Sequence, residues 1–212
     1  MTVTDASGVY SGSGFRAKAY VAGVNGQPGT SLEGVGLTLT YFRVNANASL
    51  TQLSGAPVNV GSYKVMATFA GSADYQPASA SALFTITYDI EDLSHLMKPR
   101  EAGSTIEFVI EVATAGDVNI SSPNIVVTAV GMASTSSPGV LIPVHAPGNS
   151  DPANVFRFEG DRADEHDRDD RDNGRYEFDL KTSKGLASGT YLLYFTVQGD
   201  PLVHSLLFQI KN

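Results

Sequence analysis

The run Thr105-Ile106-Glu107-Phe108-Val109-Ile110-Glu111-Val112 sets Ile106, Phe108, Ile110 and Val112 on one side of an alternation, with Glu107, Val109 and Glu111 on the other. Successive side chains of a β-strand point to opposite faces, so this period marks a strand with one face in a core and one in water. The cadence recurs in Tyr176-Glu177-Phe178-Asp179-Leu180-Lys181, in Leu37-Thr38-Leu39-Thr40-Tyr41-Phe42, and at Tyr63, Val65, Ala67 and Phe69. Turn-forming clusters separate these runs, among them Asn25-Gly26-Gln27-Pro28-Gly29 and Ser54-Gly55-Ala56-Pro57. Such clusters mark turns and loops, and no stretch keeps a 3.6-residue apolar stripe for three turns. Many short strands with regular turns predict an all-β sandwich or barrel.

With 212 residues, the chain is long enough for two domains of roughly 100 residues each. An internal echo divides it. Gly61-Ser62-Tyr63 opens a strand that closes at Gly71, and Gly189-Thr190-Tyr191 opens another that closes at Gly199. Each is followed by one more apolar strand, ending at Phe84-Thr85-Ile86 and Phe208-Gln209-Ile210. This predicts a first domain over 1–88, a charged linker over 89–101, and a second domain over 102–212 carrying an acidic loop at 161–174.

Residues 3–87 resemble a bacterial immunoglobulin-like repeat found in tandem in very long cell-surface and secreted proteins. The matching phrases are Val3-Thr4-Asp5-Ala6-Ser7-Gly8-Val9-Tyr10, Ser31-Leu32-Glu33-Gly34-Val35, Leu39-Thr40-Tyr41, Gly61-Ser62-Tyr63-Lys64-Val65 and Gly71-Ser72-Ala73-Asp74-Tyr75. Residues 98–211 look like a second surface-protein module. The phrases there are Ala102-Gly103-Ser104-Thr105-Ile106-Glu107-Phe108, Gly148-Asn149-Ser150, Asn154-Val155-Phe156-Arg157-Phe158 and Leu186-Ala187-Ser188-Gly189-Thr190-Tyr191. The resemblance implies two consecutive immunoglobulin-like β-sandwich domains with structural, adhesive or matrix roles, and no catalytic constellation. The charged run at 161–174 departs from that pattern.

Composition narrows the partners. A formal net charge of -8 argues against nucleic acid and anionic lipid, which need clustered Lys and Arg. No apolar run reaches the roughly 20 residues that span a bilayer. Cysteine is absent, which excludes disulfides, thiol chemistry and Cys-based zinc sites. Met1 leads directly into a strand-like Thr2-Val3-Thr4, so the expectation is a fragment of an extracellular or cell-surface protein without its signal peptide.

Catalytic signatures are missing: there is no Gly-x-Ser-x-Gly elbow, no His-Glu-x-x-His and no phosphate loop. His95, His145, His166 and His204 are widely spaced, with no pair at metal-ligand spacing. Tyr10, Tyr20, Tyr75 and Tyr194 are candidates for a sugar platform, against the plainer role of strand packing. The unusual passage is 161–174, where seven carboxylates stand against three arginines. In one reading Asp161, Asp164, Asp167, Asp169, Asp172 and Asn173 supply oxygen ligands to Ca²⁺, which takes six to eight. Arg171 and Leu180 stand where an EF-type loop needs ligands, so such a site would be irregular. In the other reading the run is a solvated hairpin loop laced with weak surface ion pairs. A linker trio, Asp89, Glu91 and Asp92, is a second calcium candidate, weighed against an ordinary solvated linker.

The function expected from these readings is a non-catalytic structural or adhesive module of a bacterial surface, stalk or filament protein. Its partners would be other modules of the same long chain or neighbouring copies, joined through strand edges. The rivals are a calcium-dependent adhesion module and an accessory domain pair of a secreted hydrolase. A Lys–Asn crosslink centred on Lys64 is a further alternative. The external ligand is not readable from the sequence.

Overall fold

The computed structural model describes every residue except Asp5, His95, Met97, Asn149, 161–173 and Asn212. The chain divides into two compact units, Met1–Thr87 and Tyr88–Asn212. Both are all-β immunoglobulin-like sandwiches.

The first unit contains β1 (Thr2–Val3), β2 (Gly8–Val9), β3 (Ala19–Ala22), β4 (Pro28–Gly29), β5 (Ser31–Leu32), β6 (Val35–Val44), β7 (Leu50–Gln52), β8 (Gly61–Phe69) and β9 (Ala78–Thr87). A three-stranded sheet runs β1-β3-β4, and a six-stranded sheet runs β2-β9-β8-β6-β5 with β7 also on β6. The predicted alternation holds along β8, where Tyr63, Val65, Ala67 and Phe69 are buried. Across the sandwich they join Ala17, Ala19 and Val21, and the Tyr41 hydroxyl accepts the Ala17 amide at 3.0 Å.

The second unit contains β10 (Asp89–Asp92), β11 (Arg100–Glu101), β12 (Thr105–Ala113), β13 (Val127–Ser134), β14 (Arg157–Glu159), β15 (Arg175–Lys181), β16 (Gly189–Val197) and β17 (Val203–Lys211), with a 3₁₀ turn at Pro152–Asn154. Its two four-stranded sheets have the orders β10-β12-β15-β14 and β11-β17-β16-β13. With the short β11 set aside, these are in chain order the first, second, fifth and fourth strands of an immunoglobulin sandwich facing the seventh, sixth and third. Phe108, Ile110, Tyr176 and Phe178 from one sheet meet Leu193, Phe195 and Phe208 from the other in a single core. Full burial of each such side chain contributes about 1.5–3 kcal/mol, which is how a sandwich without disulfides is held.

Two further features identify the fold. In each unit a short early strand pairs in parallel with the last strand: β2 with β9, and β11 with β17. Each unit also has a tyrosine corner. The Tyr63 hydroxyl donates to the Asn59 carbonyl at 2.7 Å, and the Tyr191 hydroxyl to the Ala187 carbonyl at 2.9 Å, both four residues upstream. A tyrosine at the start of the sixth strand that bonds back to the preceding corner is characteristic of this sandwich. The echoed Gly-x-Tyr phrases are these corners. Gly61 has φ +149° with Tyr63 beside it, so a side chain there is strained.

The segment 89–101, expected to be a linker, contributes strands to the second unit instead. β10 pairs antiparallel with β12 from Asp89↔Ala113 to Asp92↔Ile110, and β11 pairs with the end of β17. Its charges are those of an edge strand's solvent side, which composition does not distinguish from a linker's.

Candidate functional site

Fixed charge in the second unit gathers around Asp151 and Arg157. Asp151 leads into the 3₁₀ turn and is 3% exposed, while Arg157 opens β14. The Arg157 guanidinium donates to Asp151 Oδ1 and, at 3.2 Å, to Asp179 Oδ2. Glu177 and Glu159 stand 3.6 and 3.8 Å from the same group. Asp151 Oδ2 accepts the Asp179 backbone N–H at 2.9 Å, so the carboxylate extends the free edge of β15 beyond β14. Burial alone would lower the Arg157 pKa. Asp151 and then Asp179 outweigh it, and the guanidinium is held above its ordinary value. The cluster staples a loop to a strand.

Asp200 plays a similar part in the β16–β17 turn. Its carboxylate accepts the Tyr88 N–H at 2.7 Å and the Leu202 N–H at 2.9 Å, and lies 3.2 Å from His204 Nε2. His204 stacks on Phe195 with ring centroids 5.5 Å apart. His145 is exposed, and His95 and His166 lie outside the described residues.

The two outer faces of the second unit differ in chemistry. Arg157, Glu159, Arg175, Glu177, Asp179 and Lys181 make one a charged, solvent-type surface. The other presents Leu192 opposite Leu207, Tyr194 opposite Gly131, and Thr196 opposite Val203. Leu207 is 53% and Val203 60% exposed, and the Leu141 side chain sits over Gly131.

Two grooves open in the first unit. One, of about 420 Å³, is lined by Ala17, Lys18, Ala19, Tyr20, Thr30, Leu37 and Leu39. The other, of about 290 Å³, includes Arg43, Leu53, Pro57, Asn59 and Tyr63. Burial raises the Tyr63 pKa, and Arg43 opposes it more weakly. Each groove holds a single cationic side chain, and neither brings a nucleophile, a base and an acid together.

The candidate ligands of the acidic run, Asp161, Asp164, Asp167, Asp169, Asp172 and Asn173, all lie outside the described residues. The structure does not bring the trio Asp89, Glu91 and Asp92 together: strand alternation sends Asp89 and Glu91 to one face of β10 and Asp92 to the other. Among the described residues no three His, Asp or Glu side chains converge on a metal position. Of the tyrosines considered for a sugar platform, Tyr20 lies in β3 and Tyr194 in β16, while the Tyr75 hydroxyl accepts the Val24 N–H at 3.3 Å. Tyr10, Tyr20 and Tyr75 belong to the first unit and Tyr194 to the second. Lys64 is on the outer face of β8, in register with Leu83 and Phe42. The site-forming residues that sequence reasoning missed are Asp151 and Asp200. Each is followed by proline in the sequence, and nothing else marks them as buried.

No family model and no curated protein matches the chain. Among solved structures it is similar to a chimeric titin Z1Z2-Z1Z2 tandem, at 16% identity, covering 96% of this chain and 94% of that one with a TM-score of 0.34. It is similar also to extracellular domains 3–5 of Drosophila OTK, at 13% identity over 83% of this chain and 51% of that one, TM-score 0.29. Zebrafish RET cadherin-like domains 1 to 4 align at 12% identity over 82% of this chain and 40% of that one, TM-score 0.29. The immunoglobulin-like assignment rests on the strand order, the parallel pairings and the tyrosine corners.

Proposed function

We propose that this chain is a non-catalytic structural or adhesive module of an extracellular bacterial surface protein. The observation that carries the reading is how the described residues spend their reactive groups. Asp151, Arg157, Asp179 and Asp200 hold backbone and strand ends together, and the apolar side chains fill two sandwich interiors. What remains outside is strand edge and sheet face, the surfaces by which β-modules contact neighbours. Among the described residues no helix is long and apolar enough to cross a membrane. Brief protease treatment of intact cells tests the location: the reading expects release of peptides from this stretch, and a chain protected until lysis overturns it. Calcium-dependent adhesion rests on the run 161–174 and is read separately, by melting the chain in chelator and in calcium.

A further inference from the structure

The two sandwiches differ in what flanks the strand next to the first edge. In the second unit the strand β12 is flanked by β10 and, over six residue pairs from Thr105↔Lys181 to Ile110↔Tyr176, by β15. In the first unit the corresponding strand β3 is flanked by β1, but on its other side β4 matches it only at Val21↔Gly29 and Ala22↔Pro28. After Thr30 the chain turns away, and β5 pairs with β6. No described strand is in register with Ala17–Tyr20 on that side. The Lys18 carbonyl accepts the Thr4 N–H toward β1. Successive residues of a strand present their amides to opposite sides, so Ala19 presents its N–H and C=O to the open side.

The interior records the same gap. Along β6, inward-facing Tyr41 is buried but Leu37 and Leu39 are only half-covered. In the complete sandwich the inward residues Val127, Ala129, Leu193 and Phe195 are each 3% exposed or less. Leu37 and Leu39 floor the groove of about 420 Å³ whose wall is Ala17–Tyr20. An open strand edge beside a partly covered apolar floor has the geometry of a strand-addition site, where main-chain bonds give affinity and alternate side chains give specificity.

We propose that the first unit accepts an added β-strand from a partner polypeptide. The added segment pairs with the start of β3 at Ala19, since the Ala17 N–H is already held by the Tyr41 hydroxyl, and lays aliphatic side chains over Leu37 and Leu39. Charge fixes its flanks. Lys18 lines the groove and is exposed, Arg16 is exposed two residues before it, and neither has an ion-pair partner among the described residues, so the segment carries carboxylates beside its aliphatic positions. This chain's own stretches of that kind, β12 and β15, have their apolar faces fully buried in the second unit. The donor is therefore another polypeptide.

The inference concerns the purified chain and stands whether or not the protein is found on a surface. The probe is a synthetic peptide of about seven residues, a typical strand length, alternating valine or leucine with threonine and bracketed by glutamates. Binding to the full chain is followed by calorimetry, and hydrogen exchange reads the Ala19 amide. The expected result is saturable binding with new protection at Ala19. Affinity should fall at least about tenfold, or about 1.4 kcal/mol, when alternate peptide nitrogens are methylated or the residue order is scrambled. Lys18→Glu should weaken binding and reverse its salt dependence without unfolding the chain, and Leu39→Glu should abolish it. Absence of binding overturns the proposal. So does equal affinity for the methylated peptide, which would make the groove a simple apolar pocket. Dimerisation of the chain alone, lost in Leu39→Glu, would assign the groove to a second copy and overturn the partner.

Discussion

Replacing Arg157 with alanine tests whether the charge cluster of the second unit holds the fold. Asp151 has a fully buried side chain, and Arg157 is its only cationic partner among the described residues. Without the guanidinium, Asp151 keeps the Asp179 N–H at 2.9 Å and a long contact of 3.4 Å with the Ser150 hydroxyl. Breaking a fully buried ion pair costs about 3–5 kcal/mol, because a desolvated charge is left uncompensated. Arg157 is 30% exposed, so water replaces part of its role and the expected cost falls to about 2–3 kcal/mol. For a unit of this size, at roughly 4 °C per kcal/mol, that lowers the melting temperature by about 8–12 °C. Scanning calorimetry resolves the effect if the two units melt separately, and the transition of the first unit should not move. The double variant Asp151→Asn with Arg157→Met should recover part of the loss, since no charge remains buried. A loss below about 0.5 kcal/mol, the size of an ordinary surface pair, would refute the reasoning.

The tyrosine corners should be separable: Tyr63→Phe and Tyr191→Phe each remove one hydrogen bond and should cost about 1 kcal/mol in their own unit only, read from urea midpoints. Burial raises the Tyr176 pKa, and the Ser122 backbone opposes this more weakly. A raised folded value means full stability below the unfolded pKa of about 10 and loss as pH rises through the folded value. Urea midpoints of the second unit should therefore fall in alkali, and less steeply in Tyr176→Phe. Gly174 has φ +91°, and a Cβ there would meet the Glu159 carbonyl oxygen at 3.0 Å and the Phe158 ring at 2.5 Å. Gly174→Ala should cost about 1–3 kcal/mol, and an unchanged midpoint would contradict the hairpin geometry.

The strands that alternate large apolar residues with polar ones, β12 and β15 above all, were legible because one face is buried and the other wet. The echo of Gly61-Ser62-Tyr63 and Gly189-Thr190-Tyr191 was visible too, but its meaning lay in hydroxyl bonds to Asn59 and Ala187 that no spacing rule supplies. Asp89–Asp92 read as linker because four residues rich in carboxylate carry no period, and only the partner strand β12 shows their register. Asp151 and Asp200 were hidden for a related reason: a carboxylate's burial is set by the backbone amides that fold around it. The groove beside β3 was beyond sequence reading, since it consists of a strand the first unit does not have.

The pairing of β2 with β9, and of β11 with β17, bears on how each unit answers tension. Parallel neighbours near the two ends of a unit are drawn in opposite directions along their own length when those ends are pulled apart. Their cross-links are then loaded side by side and must fail together, whereas antiparallel neighbours pulled from one end would open like a zip. Two residue pairs make such a latch short, but it places a side-by-side loaded obstacle at the second strand of each sandwich, ahead of the core.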